Sequence, residues 1–131
     1  MIVIDTSAVV ALLTGESDEA VYREAIKSVE HCHISAFTVF ESRVVLNAKG
    51  GEDLVMAFDL LLAEAGISVH AFDADQARLA FQVYQYFGKG SGHDAGLNLG
   101  DCAAYTLAKS LDAPLLFKGA DFARTDVRPA V

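Results

Sequence analysis

The sequence has no tryptophan, two prolines and two cysteines, and no long unbroken apolar run. A membrane-spanning helix needs about 18 to 20 predominantly apolar residues, so none is predicted. The cysteines, Cys32 and Cys102, lie in apolar segments and suit reduced core thiols better than a disulfide framework. The N-terminus lacks the basic stretch and long apolar region of a signal peptide. We therefore expect a cytoplasmic protein.

Basic residues are also few. Lysine and arginine together number 10 against 18 acidic residues, for a formal net charge of -8. A protein that binds a polyanion through lysine and arginine alone is normally basic. Either the ligand is not a nucleic acid, or a divalent metal held by clustered carboxylates reverses the sign of the field at the site. Solubility alone would also explain an acidic chain.

Apolar residues make up 53% of the 131 positions, enough for one domain with a continuous core, residues 1–131. Short β-branched or apolar runs predict strands, and apolar residues at helical spacing predict helices between them. Alternating strands and helices favour an α/β protein with three α/β/α layers and a short, mainly parallel central sheet. The predicted strands are 2–4, 33–35, 67–72, 115–117 and one near Val127; the predicted helices are 6–13, 17–30, 37–48, 52–65, one from Asp73 to Gly88, and 98–111.

Local signals refine this prediction. Thr6 or Ser7 can cap the first helix, and the run 49–51, Lys-Gly-Gly, ends the third. The glycine-rich run 88–96 predicts a loop at the rim of a site.

Four acidic residues follow or flank the predicted strands. Asp5 directly follows the first strand, Glu41 lies in the early turns of the helix after the second, Asp101 lies in the first turn of the helix after the glycine-rich loop, and Asp121 follows the strand 115–117. Ligands of open parallel sheets bind beyond the carboxyl ends of the strands, so we expect all four at one edge. Because gathered carboxylates repel one another, they predict a hard cation, Mg²⁺ or Mn²⁺, with Asp5 and Asp101 as ligands.

Each of these residues also has a simpler explanation. Asp101 needs no role beyond complementing a helix dipole, and Asp121 needs no role beyond forming a turn. Thr6 and Asn98 could position a phosphate or a water, although capping a helix explains them equally well. Lys118 and Arg43 are candidate phosphate contacts, although solvated surface charge is the commoner role.

The histidines give weaker signals. The sequence His31-Cys32-His33 has no second ligand pair at zinc-finger spacing. His93, in the glycine-rich loop, could approach substrate, although a loop histidine is more often a solvated side chain.

Four ordered motifs resemble the PIN-domain ribonucleases, and within them the VapC-type toxins of bacterial toxin–antitoxin pairs: IVIDTS at 2–7, SA at 35–36 leading to ESR at 41–43, LNLGDC at 97–102, and LFKGADF at 116–122. The resemblance implies an endoribonuclease dependent on Mg²⁺ or Mn²⁺, usually a homodimer, held inactive by a small antitoxin that also binds DNA. It maps the family's acidic residues onto Asp5, Glu41, Asp101 and Asp121, and its active-site hydroxyl onto Thr6. One departure is Asp94, an acid where similar toxins would have proline.

Other functions fit less well. A haloacid-dehalogenase-type phosphotransferase needs a second aspartate two residues after Asp5, where Ser7 stands. A receiver domain needs a mid-chain strand ending in aspartate, where residues 52–65 predict a helix. A catalytically silent PIN-fold interaction module remains the non-enzyme alternative, although the presence of all four acids argues against it. Water activated by metal predicts 5′-phosphate and 3′-hydroxyl ends on cleaved RNA.

Overall fold

A short parallel sheet organises the fold. The computed structural model describes all 131 residues. Strands β1 (Ile2–Ile4), β2 (Cys32–Ser35), β3 (Ser68–His70) and β4 (Leu115–Leu116) are arranged in the order β3-β2-β1-β4, and every neighbouring pair is parallel. The central strand β1 pairs through Val3 with His33 on one side and Leu115 on the other.

Helices cover both faces of the sheet: α1 (Thr6–Leu13), α2 (Glu19–Lys27), α3 (Ala36–Glu64), α4 (Ala74–Phe87) and α5 (Leu99–Ser110). Successive side chains of a strand point to opposite faces, and β1 divides in this way. Ile2 and Ile4 pack in a core cluster with α1, α2 and α3, whereas Val3 packs in a second cluster with α4 and α5. These two cores confirm the predicted three-layer α/β/α fold.

The helix break predicted at the double glycine is confirmed within α3. Gly51 has φ of 70° and ψ of -156°, so the helical conformation is interrupted there. A positive φ costs glycine little, whereas a side chain would strain the backbone. The interruption separates the first segment of α3, which carries Glu41, from the second.

Two local predictions were wrong. Asp5, in extended conformation, caps α1 by accepting a hydrogen bond from the Ser7 amide, because Thr6 and Ser7 are already helical. No strand forms near Val127; a single bridge joins Leu115 and Pro129 instead. Leu115 donates to the Arg128 carbonyl at 2.8 Å and accepts from the Ala130 amide at 2.9 Å, so the bridge uses the backbone groups on either side of Pro129. None of the helices combines the length and the apolarity that crossing a bilayer would require.

Candidate active site

Asp5 lies at the carboxyl end of the central strand, and its side chain is 2% exposed. Its Oδ2 accepts hydrogen bonds from the Ser7 amide at 3.0 Å and the Ser7 hydroxyl at 2.6 Å. Its Oδ1 is buried and has no hydrogen-bond partner. Burial raises the pKa of Asp5 to about 6, although the hydrogen bonds from Ser7 act to lower it. The carboxylate is therefore held in one orientation with one oxygen in need of a partner.

Glu41 is held against the same strand end by a chain of hydroxyl groups. The Thr6 hydroxyl donates to Glu41 Oε1 at 2.6 Å, and the Ser42 hydroxyl donates to Thr6 Oγ1 at 3.1 Å. On the other side, Gly100 of α5 lies so close that a Cβ built there would overlap the Glu41 carboxyl group. The position of this carboxyl group thus depends on the Thr6 hydroxyl of α1 and on the space that a glycine leaves at position 100 of α5.

Asp101 is fixed by a reciprocal capping box at the start of α5. Its amide donates to Asn98 Oδ1 at 2.8 Å, and its own Oδ2 accepts from the Asn98 amide at 3.0 Å. Burial, and to a smaller extent the charges of Asp5, Asp121 and Glu41, raise the pKa of Asp101 to about 7. Asp101 therefore takes part in capping α5 and also belongs to an interacting group of acids. The structural role and the role in an acidic site that the sequence suggested for it are compatible.

These residues surround a polar cleft of about 410 Å³. Six of the residues predicted from sequence line it: Asp5, Thr6, Glu41, Asn98, Asp101 and Lys118. A larger cavity of about 540 Å³ between α2 and the C-terminal residues is lined mainly by apolar side chains and has a different character. The acidic and polar side chains of the candidate site therefore lie together at the carboxyl end of the sheet.

The other two predicted residues lie outside the cleft lining. Asp121 is exposed just before a 3₁₀ turn (Phe122–Arg124), yet its charge acts on the pKa of Asp101. Arg43 donates to Asp59 Oδ1 at 2.6 Å and so joins the two segments of α3. Its position gives no support to a role in phosphate binding.

Lys118 is the one basic side chain that lines the cleft. Its ammonium group contacts the Glu16 carboxylate and lies 3.1 Å from Asp18 Oδ1, and both contacts raise its pKa. Its amide donates to the Ser7 hydroxyl at 2.9 Å. Sequence reasoning missed Ser7 and Glu16 as cleft residues. Ser7 could have been found from its position two residues after Asp5, whereas Glu16 lies in a loop and gave no signal.

The cleft is lined by oxygen ligands of the kind that bind metal ions, which are not tightly grouped. No three histidine, cysteine or acidic side chains are grouped tightly enough to hold a metal as they stand. However, the unpartnered Oδ1 of Asp5 and the raised pKa values of Asp5 and Asp101 are what a hard divalent cation would correct. The donor set, all oxygen, is the one that Mg²⁺ and Mn²⁺ prefer.

Comparison with known proteins places the chain in a family. The PIN domain model matches residues 2–128. Ribonuclease VapC42 of Mycobacterium tuberculosis is 44% identical over 128 residues, which cover 98% of each chain. Ribonuclease VapC28 of the same species is 42% identical over 129 residues, covering 98% of this chain and 97% of the relative.

Solved structures show the same fold. The sarcin-ricin loop cleaving toxin VapC20 of M. tuberculosis superposes with a TM-score of 0.78 at 19% identity, covering 98% of this chain and all of the other. VapBC2 from Rickettsia felis, solved with a promoter DNA fragment, gives a TM-score of 0.72 at 17% identity, covering 98% of this chain and 96% of the other. The chain therefore belongs to the PIN domain family, and over nearly its whole length its sequence is similar to the VapC ribonucleases.

Proposed function

We propose that this protein is a metal-dependent endoribonuclease, the toxin of a toxin–antitoxin pair, and that Asp5, Glu41, Asp101 and Asp121 are its catalytic acids. The observation that carries the proposal is the buried Asp5 carboxylate, whose Oδ1 lacks a partner in a cleft shared with Glu41 and Asp101. Such an arrangement is costly unless a cation meets it. The similarity to VapC ribonucleases supports RNA as the substrate.

Asp5 and Asp101 would hold Mg²⁺ or Mn²⁺. When bound, the metal supplies an acidified water for attack on the scissile phosphate and stabilises the departing 3′-oxygen. The rest of the work falls to the protein. Ser7 occupies one oxygen of Asp5 and leaves the other free, and the Asn98 amide holds Asp101 in the capping box.

The remaining polar groups of the cleft orient the substrate. Thr6 fixes Glu41 beside the reacting phosphate through its 2.6 Å hydrogen bond. Lys118 supplies the positive charge that this acidic cleft otherwise lacks, and we assign it a phosphate contact. Asn98 offers the polar edge of its amide at the opposite wall.

The proposed products are 5′-phosphate and 3′-hydroxyl ends. Cleavage through the 2′-hydroxyl of the substrate needs a general base and a general acid, most often histidines. No histidine lines the cleft. His33 and His70 contact each other at 2.8 Å on β2 and β3, and His93 lies on the glycine-rich loop. Hydrolysis by water is therefore the route that these side chains support.

We also propose a cognate antitoxin and a homodimer as partners. Two related structures, VapBC2 of R. felis and a toxin–antitoxin complex from Klebsiella pneumoniae with a TM-score of 0.70, are of toxin–antitoxin systems. In this chain, α2 and α3 expose large apolar side chains that a partner could cover, among them Val21 (51%), Val44 (55%), Met56 (62%) and Leu60 (57%). Isolated exposed apolar residues are normal, but several on neighbouring helices favour an interaction surface.

The test compares RNA cleavage by the wild type with that by Asp5→Asn and Asp101→Asn, in Mg²⁺, in Mn²⁺ and in chelator. Loss of a metal ligand should lower activity at least about 10-fold while the circular dichroism spectrum is retained. Asp75→Asn, at an exposed acid in the first turn of α4, is the matched control and should cleave normally. Full activity in chelator, or in both cleft variants, would show that the metal mechanism is wrong.

A second measurement identifies the ends of the fragments by mass spectrometry. Fragments with 5′-phosphate and 3′-hydroxyl groups are expected, and 2′,3′-cyclic phosphates would contradict hydrolysis by water. A silent interaction module would leave RNA intact under every metal condition while still binding its antitoxin.

A further inference from the structure

Three aromatic rings form a ledge beside the glycine-rich loop, which we define as Tyr86, Phe87 and His93. Tyr86 is 67% exposed. The His93 ring lies 5.6 Å from the Tyr86 ring and meets Phe87 edge-on at 4.8 Å. Phe87 in turn packs 5.5 Å from Tyr105 of α5, which ties the ledge to the core. His93 is thus packed between rings, in contrast to the solvated side chain expected from sequence.

The loop that carries His93 is closed at its base. The Lys89 amide donates to the Leu97 carbonyl at 2.8 Å, and the Leu97 amide donates to the Phe87 carbonyl at 2.9 Å. Because both ends of the loop are joined, the rings need little further ordering when something binds to them. Preorganisation of this kind reduces the entropic cost of binding.

His93 is also fixed in orientation. Its amide donates to the Ser91 hydroxyl, and the Ser91 hydroxyl donates to the Tyr86 carbonyl, each at 3.2 Å. The Ala95 amide donates to His93 Nδ1 at 3.0 Å, so the neutral ring carries its proton on Nε2. The ledge therefore combines ring surfaces with one N–H donor.

Two basic side chains without a carboxylate partner lie at the same loop. Six of the ten lysine and arginine side chains form ion pairs with carboxylates. Four do not: Lys27, Lys49, Lys89 and Arg124. Lys89 belongs to the loop, and Arg124 donates to the Asp94 carbonyl within it at 3.0 Å. The loop 88–96 also carries one carboxylate, Asp94, so Lys89 and Arg124 together give this segment a small positive excess in a chain of net charge -8. Such an excess favours an anion there.

The segments that carry the ledge are joined along the chain to residues of the cleft, although no ledge residue lines the cleft itself. The loop runs directly into Asn98, which lines the cleft, and the segment after Lys118, another cleft residue, runs into the turn that carries Arg124. The hydrogen bond between Arg124 and Asp94 joins these two segments after each has left the cleft. An RNA strand that follows these two segments away from the cleft would reach the ledge.

We propose that the ledge, with Lys89 and Arg124, is a subsite for single-stranded RNA: the exposed Tyr86 ring stacks on a base, the tilted His93 ring supports Tyr86, and the two cations contact the flanking phosphates. The inference rests on the proposed function, because it extends the path of the RNA beyond the scissile phosphate. Aromatic side chains that stack bases, next to a basic path for the backbone, are how proteins bind single strands. Stacking accepts any base, so the subsite adds affinity without reading a sequence.

The test measures binding in chelator, where the proposed chemistry is silent, by fluorescence anisotropy with a short single-stranded RNA. A second probe has the same length but abasic sites in place of its bases. Tyr86→Ala should weaken binding of the base-bearing RNA by about 5-fold or more, the lower end of what one stacked base contributes. It should leave the abasic probe unaffected, and Tyr86→Phe should restore binding. Lys89→Ala should weaken both probes and reduce the slope of log affinity against log salt by about 1.

Matched controls separate this surface from general effects. Phe81→Ala removes another exposed aromatic side chain of α4, and Lys27→Ala removes another unpaired lysine. Neither should change the affinity for either probe.

Each alternative outcome is decisive. Unchanged affinity of Tyr86→Ala for base-bearing RNA, with the wild type still cleaving RNA, would overturn the subsite and leave the proposed function intact. A wild type that neither binds nor cleaves RNA would defeat both. A change from dimer to monomer on light scattering in Tyr86→Ala, with no change in RNA affinity, would show that the ledge is a contact between copies of the chain and would also overturn the proposal.

Discussion

Gly100→Ala would test whether the position of the Glu41 carboxyl group governs activity. A methyl group at Gly100 would overlap that carboxyl group, so Glu41 must rotate away. The rotation would break its 2.6 Å hydrogen bond from Thr6. A hydrogen bond to a charged group contributes about 1.5–3 kcal/mol, and alanine in place of glycine returns up to about 1 kcal/mol in helix propensity. The free energy of unfolding should therefore fall by roughly 0.5–3 kcal/mol, and the protein should stay folded.

Activity should suffer much more than stability. Displacement of one acid from the cleft is expected to lower kcat/KM for RNA cleavage at least about 10-fold, as loss of outer-shell or ligand groups at metal sites does. The assay is steady-state cleavage of a fluorescent RNA in Mg²⁺, with urea unfolding in parallel. Gly50→Ala is the matched control, because Gly50 is also helical but would meet only the flexible side chain of Leu54. It should cleave at the wild-type rate.

A double-mutant cycle makes the reasoning refutable. If Gly100→Ala acts only by displacing Glu41, then Glu41→Ala and the double variant with Gly100→Ala should be equally impaired. Wild-type activity in Gly100→Ala, or a further loss in the double variant, would refute the assigned role of this close approach.

Three more outcomes are expected. In chelator, burial raises the pKa of Asp101 to about 7 and that of Asp5 to about 6. Between about pH 4 and these values, the folded protein keeps protons that the unfolded chain releases. The free energy of unfolding should therefore fall as pH rises from about 4 toward 7. Since one pKa unit corresponds to about 1.4 kcal/mol, the rise from 3.8 to about 7 is at most about 4 kcal/mol, and roughly half of that for a carboxylate that is partly exposed. The stability of Asp101→Asn relative to the wild type should therefore increase by roughly 2 kcal/mol from pH 4 to pH 8 in urea unfolding, and parallel pH curves would contradict this. Ser7→Ala removes the 2.6 Å hydrogen bond to Asp5, so it should lower the free energy of unfolding by roughly 1–3 kcal/mol and raise the Mg²⁺ concentration needed for cleavage. An unchanged Mg²⁺ requirement would argue against a positioning role for Ser7. Glu16→Gln removes one carboxylate partner of Lys118 and should lower KM for RNA about 2- to 5-fold, the scale of an exposed ion pair. Lys118→Ala should raise KM. A higher KM in Glu16→Gln would mean that Glu16 itself contributes to RNA binding.

Much of the fold follows from local pattern. Ile2–Ile4 is too short and too β-branched for anything but a buried strand, and the double glycine before residue 52 divides α3 as its backbone freedom predicts. The end of the chain was harder to predict, because it joins β4 by a single bridge, through the Arg128 carbonyl and the Ala130 amide on either side of Pro129.

The sequence also placed the candidate acids at the correct ends of elements. Hydrophobic periodicity and capping signals identify Asp5 as the residue after β1 and place Asp101 in the first turn of α5. Parallel strands bring such positions to one edge of the sheet. Arg43 shows the limit of this reasoning. Its charge suggested a phosphate contact, but only the fold shows that the kink in α3 brings Asp59 within 2.6 Å of it.

By itself, then, the sequence determined the layers of the fold and the chain positions of the acids, because hydrophobic period and helix caps are local properties. The tertiary structure alone decided which oxygen of Asp5 lacks a partner, that Gly100 leaves space for Glu41, and that the loop histidine packs on Phe87. These are contacts between segments far apart in the chain. Their geometry depends on how two helices and a strand pack to within an ångström, and no local pattern encodes that distance.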